Sequence, residues 1–123
     1  MVKIVILTGS PHRNGTSHQL ADAFEKGARE SGNEVYRYDA GLQGPTEPHF
    51  LQMDPNQKGE VGLHDNDFYE TDVIPKLLQC DVIVYATSVY SFGMNAQLKT
   101  CIDRFYLFSN QLRNKNTVVL VTG

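Results

Sequence analysis

The chain has 123 residues, 41% hydrophobic and 20% charged, with 11 Lys and Arg against 14 Asp and Glu for a net charge of −3. This composition suits one globular domain with its own core. It excludes a disordered chain, leaves no room for a second ordinary domain, and lacks the basic excess expected of a nucleic-acid binder. No stretch approaches the roughly 18 apolar residues of a membrane span. The opening apolar run is too short for a secretory signal, so a cytoplasmic protein off the membrane is expected.

Residues 2–7 form an apolar, β-branched run bounded by Gly9 and Pro11, which predicts a first strand buried on both faces. Leu20, Ala23, Phe24, Gly27 and Ala28 then recur at helical spacing. Thr16 and Gln19 have capping-box spacing at the start of that helix, and Gly32 suits a left-handed stop. Val35 to Tyr38 reads as a second strand. Residues 40–67 carry four glycines and three prolines without sustained period, so they predict a long irregular segment, either functional or disordered.

Phe68 to Gln79 reads as a helix kinked or shortened at Pro75. Residues 82–86 predict a third strand, and Val118 to Val121 a fourth. Between them Leu98, Cys101, Ile102 and Phe105 follow helical spacing behind Asn95 as N-cap. The alternation predicts a single α/β domain over 1–123, a three-layer, doubly wound parallel sheet with right-handed crossovers. Cys80 and Cys101 form no C-x-x-C pair and read as reduced thiols packed in the core.

Two loops carry candidate chemistry. Gly9 to His18 joins the first strand to the first helix, where free N–H groups and the positive end of the dipole favour an anion. Ser10, Thr16 and Ser17 add hydroxyls, His12, Arg13 and His18 add donors or positive charge, and no acid appears before Asp22. A phosphate monoester suits this loop, although a well-capped polar turn explains part of it. The Walker pattern and the G-x-G-x-x-G fingerprint are both absent. The strand ends also lack the carboxylate cluster of a phosphorylatable receiver.

In a sheet of order 2-1-3-4 the loop after the third strand lies beside the first at the topological switch point. That loop holds Tyr90, Phe92 and Met94 around Gly93. A phosphate loop beside an aromatic loop suits a ligand with a phosphate tail and a flat ring.

With both loops in view, the sequence resembles the NADPH-dependent FMN reductase and iron–sulfur flavoprotein group of flavodoxin-like proteins. The family's first loop reads roughly Gly-Ser-Pro-Arg-x-x-Gly-Asn-Thr, matched here by Gly9, Ser10, Pro11 and Gly15 and conservatively by Thr16 and Ser17. Its second motif, Pro-Val-Tyr-x-x-x-x-x-Ala-x-Leu-Lys-x-x-Ile-Asp-Arg, is matched by Val89, Tyr90, Ala96, Leu98, Lys99, Ile102, Asp103 and Arg104. The resemblance implies a flavodoxin-like fold and an FMN-binding oxidoreductase. It would use NAD(P)H to reduce flavin or a small acceptor such as a quinone. A flavodoxin-like electron carrier, or a shortened module without flavin, are the alternatives.

The same resemblance puts Ser10, Thr16 and Ser17 at the FMN phosphate, and Val89, Tyr90, Phe92 and Gly93 along the ribityl chain and ring. His12 stands where the family has arginine, with Arg13 beside it, and Ser88 stands where it has proline. No catalytic acid or base is implied. Lys99 and Asp103, at i,i+4 spacing, read as a surface pair. The 40–67 segment has no cysteine for a cluster, and His49, His64, Asp54, Asp65 and Asp67 match no metal template, so no metal is expected. Family members continue with a fifth strand and a last helix. The sequence given ends at Gly123, which makes the fourth strand an exposed edge and predicts a homo-oligomer.

Overall fold

The computed structural model describes residues 1–59, 61–89 and 93–122. Four parallel strands, β1 (Lys3–Thr8), β2 (Glu34–Asp39), β3 (Val82–Ser88) and β4 (Asn116–Thr122), lie in the order β2-β1-β3-β4. The predicted order therefore holds, and β1 is central because its run is apolar on both faces. Val5 and Leu7 pack with Ile83 and Tyr38 on one face, and Ile4 and Ile6 pack with Val84 and Ala86 on the other. Both cysteines are buried free thiols, and burial pushes Cys101 up to about 12, which leaves it a packing residue.

Helix α1 (Thr16–Glu30) covers the second of these faces. It is rolled relative to the expected stripe. Ser17, His18 and Ala21 are its buried residues, Phe24 and Ala28 pack beside them, and Leu20, Ala23 and Gly27 face solvent. Two polar residues occupy the inner face at the first turn, so the apolar periodicity misplaces the face there. Gly32 ends the helix at φ +84°, as its sequence position predicts.

The other face is covered by a π-helical turn over Tyr69–Val73, by α2 (Ile74–Gln79) and by α3 (Ala96–Asp103). Pro75 sits in the first turn of α2, directly after the π-turn, so the break predicted at this proline is present. A 3₁₀ stretch over Arg104–Phe108 and the short α4 (Ser109–Leu112) lead to β4.

The irregular 40–67 segment is a folded strap. It opens with 3₁₀ turns at Ala40–Leu42 and Gly44–Thr46 and continues into a hairpin arm, where Asp54 N–H donates to Val61 O (2.7 Å) and Leu63 N–H to Gln52 O (2.8 Å). A buried ion pair bolts it down. Arg104, 1% exposed, donates from Nη1 and Nη2 to the two carboxylate oxygens of Asp67 at 2.9 and 2.8 Å. Burial alone would push the Asp67 carboxyl up. Hydrogen bonds from Arg104 and from the N–H groups of His49 and Glu70 outweigh burial and hold it at about 2.

Because this carboxyl is depressed, its stabilisation is complete above the ordinary value of 3.8 and is lost as pH falls through about 2. The shift corresponds to about 2 kcal/mol. Asp67→Asn leaves a desolvated guanidinium without its counter-charge, so a loss of about 3–5 kcal/mol is expected in urea denaturation. The variant should also lack the acid limb between 3.8 and 2. A loss below about 1 kcal/mol would mean that the pair behaves as a solvated surface contact.

Candidate functional site

The first loop converges with two other segments at Gly9. A Cβ there would lie 1.9 Å from Asn95 Oδ1, and a Cβ on Gly41 would lie 2.3 Å from the Gly9 carbonyl. Asn95, as predicted, caps α3 by accepting from Leu98 N–H at 3.1 Å. Glycine at position 9 thus lets the cap of α3 rest on the end of β1, which ties the two candidate loops together.

The capping box read from Thr16 and Gln19 does not form. The N-cap of α1 is Gly15, with no side-chain cap. Thr16 Oγ1 donates instead to Thr122 Oγ1 at 3.2 Å, and Gln19 Nε2 donates to the Asn14 carbonyl at 3.1 Å. Among the described residues the first N–H groups of α1 therefore have no side-chain acceptor, and no acid lies in its first turn. Ser17 Oγ is buried there without a hydrogen-bond partner, and Asn95 Nδ2 is in the same condition beside Gly9. A partnerless buried hydroxyl at an uncapped 15-residue helix suits an anion rather than a self-satisfied turn.

Ser10 is buried, and its Oγ accepts from His12 N–H at 3.1 Å. Its carbonyl is turned inward onto His18, whose ring is fully buried, with Nε2 at 2.9 Å. His18 Nδ1 faces Arg37 Nη2 at 3.0 Å, and a guanidinium only donates, so the proton is on Nε2 and is given to Ser10 O. Arg37 is itself fixed by Asp39, Asp22 and Glu25 at 2.9, 2.6 and 3.1 Å. His18 appeared in the sequence as a loop donor. The structure makes it the buried anchor of the loop.

The remaining expected residues divide. His12 is exposed and lines a cavity of about 310 Å³ with Pro11, Met94, Asn95, Ala96 and Gln97. Arg13 is engaged at 3.7 Å with Asp22, on the exposed side of α1. Ser88 Oγ meets Thr122 Oγ1 at 3.1 Å, so Thr16, Ser88 and Thr122 form a hydroxyl junction between α1, β3 and β4. Thr122 was missed as a site residue, although its place at the carboxyl end of the fourth strand was the available signal. Val89 is half-exposed, with its N–H on the Thr122 carbonyl at 3.1 Å, and Gly93 is exposed. Tyr90 and Phe92 lie outside the described residues.

His49, Asp65 and Asp67 do come together, with ligand atoms within 4.8 Å. Asp67 is already occupied by Arg104 and by the N–H groups of His49 and Glu70. A guanidinium in that position opposes a cation, and the donor set suits an ion-pair network.

A family model for NADPH-dependent FMN reductase matches residues 2–123. The chain belongs to this family. YwqN of Bacillus subtilis, named as an NAD(P)H-dependent FMN-containing oxidoreductase, is 32% identical over 114 residues, covering 79% of this chain and 62% of YwqN. The fold is shared with the apo NADH:FMN oxidoreductase EMOB, with a TM-score of 0.71 at 22% identity over 100% of this chain and 59% of that one. It is shared equally with an NAD(P)H:quinone oxidoreductase from Methanothermobacter marburgensis, with a TM-score of 0.71 at 17% identity over 98% of this chain and 63% of that one. The chain thus spans about three-fifths of the length of these relatives.

The contact at Gly9 yields a direct test. Gly9→Ala forces Asn95 off Leu98 N–H, which should cost about 1–2 kcal/mol in denaturant and remove hydrogen-exchange protection at Leu98. Unchanged protection at that amide would show that the cap tolerates a displaced side chain.

Proposed function

We infer that the chain binds FMN at the edge formed by the first loop and the loop after β3, and works as an NAD(P)H-dependent reductase of flavin or of a small acceptor such as a quinone. One observation carries the reading. The uncapped start of α1 holds a buried, partnerless Ser17 hydroxyl at the switch point of the sheet. Ser10, Thr16 and Ser17, with the first N–H groups of α1, would hold the phosphate. Ser88 and Val89, with Tyr90, Phe92 and Gly93 of the loop that follows, would run along the ribityl chain and ring. His12 would face the same edge from Pro11, while Arg13 would contribute through its charge alone.

Bound flavin supplies the hydride and electron chemistry of such a site. The chain's own part is to hold and orient. Tying the Ser10 carbonyl to His18 keeps an acceptor out of the phosphate position, and the hydroxyl junction at Thr122 fixes the spacing of the two loops. A family relative named for NAD(P)H and FMN supports the reductase over the electron carrier. No helix among the described residues is long and apolar enough to cross a membrane, and two reduced thiols fit the cytoplasm.

Saturable quenching of FMN fluorescence, with bleaching of the bound flavin by NAD(P)H, is the expected result. A colourless protein that leaves FMN fluorescence unchanged would overturn the reading, and flavin left oxidised by NAD(P)H would favour the carrier. Ser17→Ala sharpens the test, since it removes a buried hydroxyl that has no partner in the protein. Folding stability should hold or rise, while FMN affinity falls roughly tenfold or more and riboflavin affinity stays level. Equal losses for both ligands would mean that the hydroxyl never meets the phosphate.

The same reading includes self-association. Among the described residues β4 pairs only with β3, and Val119 and Val121 are 61% and 52% exposed on the face that α1 does not cover. In the 123-residue chain as given, such a face favours burial against a second copy, as a homodimer or higher homo-oligomer. Sedimentation at micromolar concentration should report a mass above 13.8 kDa. A clean monomer would refute it.

A further inference from the structure

His49 belongs to the irregular strap, yet both of its peptide groups are held by the buried ion pair. Its N–H donates to Asp67 Oδ2 at 3.0 Å, and its carbonyl accepts from Arg104 Nη1 at 2.7 Å. The ring is oriented as well. Nδ1 meets Asp65 Oδ2 at 2.8 Å, and Asp65 is in turn held by its own N–H on Glu70 Oε1 at 3.1 Å. A fixed backbone and an oriented Nδ1 leave Nε2 as the nitrogen offered to a ligand, which is how a polar contact is pre-organised.

This ring lines a cavity of about 470 Å³ between the strap and the first turns of α3. The volume is that of a small-molecule site. Its lining includes Glu47, Phe50, Asp65, Gln97 and Thr100 besides His49, and contains no lysine or arginine. Two carboxylates and no fixed cation repel a pyrophosphate, so the nucleotide backbone of NAD(P)H is a poor occupant. Phe50 is 71% exposed and belongs to the same lining, which gives the wall an aromatic side chain. Ala96 and Gln97 also line the smaller cavity that reaches Pro11, His12 and Met94. The two spaces therefore adjoin along one edge of the sheet.

We propose that this cavity is a second ligand site, for a neutral aromatic acceptor of the quinone class, whose carbonyl oxygen accepts a hydrogen bond from His49 Nε2 while Phe50 lies against its ring. The choice of ligand class rests on the reductase reading; the cavity and its oriented histidine do not. The hydrogen bond and charge of Asp65 hold His49 above its ordinary value of 6.5, Asp67 adds to this, and Arg104 opposes it. Glu47 is the other acid of the lining, while Glu70 is shared with Asp65 N–H, His64 and Arg104. The donor form thus extends toward neutral pH and is lost as pH rises through the raised value.

The probe is menadione, titrated into the full chain with and without FMN and read by NMR at the His49 ring and the Gln97 and Thr100 amides. Saturable shifts at these three residues are expected. His49→Ala should weaken menadione at least tenfold, and His49→Gln, which keeps a donor near Nε2, should recover most of that loss. The backbone contacts to Asp67 and Arg104 survive both changes, so thermal stability should hold. Asp65→Asn should lower the midpoint of the His49 titration toward 6.5 and carry the pH dependence of menadione binding with it. FMN affinity, measured on the same variants, separates the two readings. Menadione shifts that persist in a protein unable to bind FMN would sink the FMN assignment and leave the cavity assignment standing. FMN binding without any menadione shift at His49 would overturn the proposal.

Discussion

A buried guanidinium decides where the longest irregular part of this chain goes. Arg104 is taken out of water behind α3, which is tolerable only if its donors are met. Asp67 meets two of them, the His49 carbonyl meets a third contact, and the Tyr69 ring lies 5.5 Å from the guanidinium carbon. Smaller contacts hold the rest of the strap: Ala40 lies in the core, the Tyr38 hydroxyl donates to the Thr46 carbonyl, and the His64 ring meets Phe108 edge-on. In its outer arm Phe50, Met53, Val61 and Leu63 are exposed, so hydrophobic burial does not fix the position of that arm. A polar, directional contact does, and directionality is what gives the strap one register over α3 rather than several.

Such a contact explains what could be read in the chain and what could not. The sheet was legible because an apolar, β-branched run such as residues 2–7 has no comfortable place except the middle of a parallel sheet. Local chemistry was legible too. Asn95 as a cap, Gly32 as a left-handed stop and Pro75 as a break each act within a few residues of themselves. Asp67 and Arg104 are 37 residues apart, and neither belongs to any periodic pattern, so their pairing leaves no local trace. The motif supplied Arg104 without its partner. The stripe of α1 failed for a related reason: Ser17 and His18 face inward because of the loop they serve, and a pattern built on apolar residues cannot see that.

The site follows the same division. That the first loop should favour an anion was readable from its hydroxyls and its place before a helix. Its pre-organisation was not, because it depends on a relay from a distant strand. Arg37 on β2 can only donate, which fixes the proton of His18 on Nε2, which in turn draws the Ser10 carbonyl inward. Three acidic side chains hold Arg37 in place to do so. A loop whose carbonyl is tied from behind needs no rearrangement when an anion arrives at its front, which removes part of the ordering cost of binding.

Charge then separates the two spaces at this edge of the sheet. Near the start of α1 the acids Asp22 and Asp39 are both engaged by Arg37, and Asp22 by Arg13 as well, so the uncapped N–H groups set a positive local field. Across Ala96 and Gln97, Glu47 and Asp65 face a cavity with one histidine and no fixed cation. An anionic tail and a neutral ring would therefore sort themselves without a steric gate, the first repelled from the strap and the second gaining nothing from the loop. The histidine is the one element that can change sides. Protonated, it offsets one carboxylate and donates; neutral, it leaves the cavity wholly acidic. The ion pair at Arg104 holds that histidine by its backbone alone, so the ring can titrate while the strap stays in place.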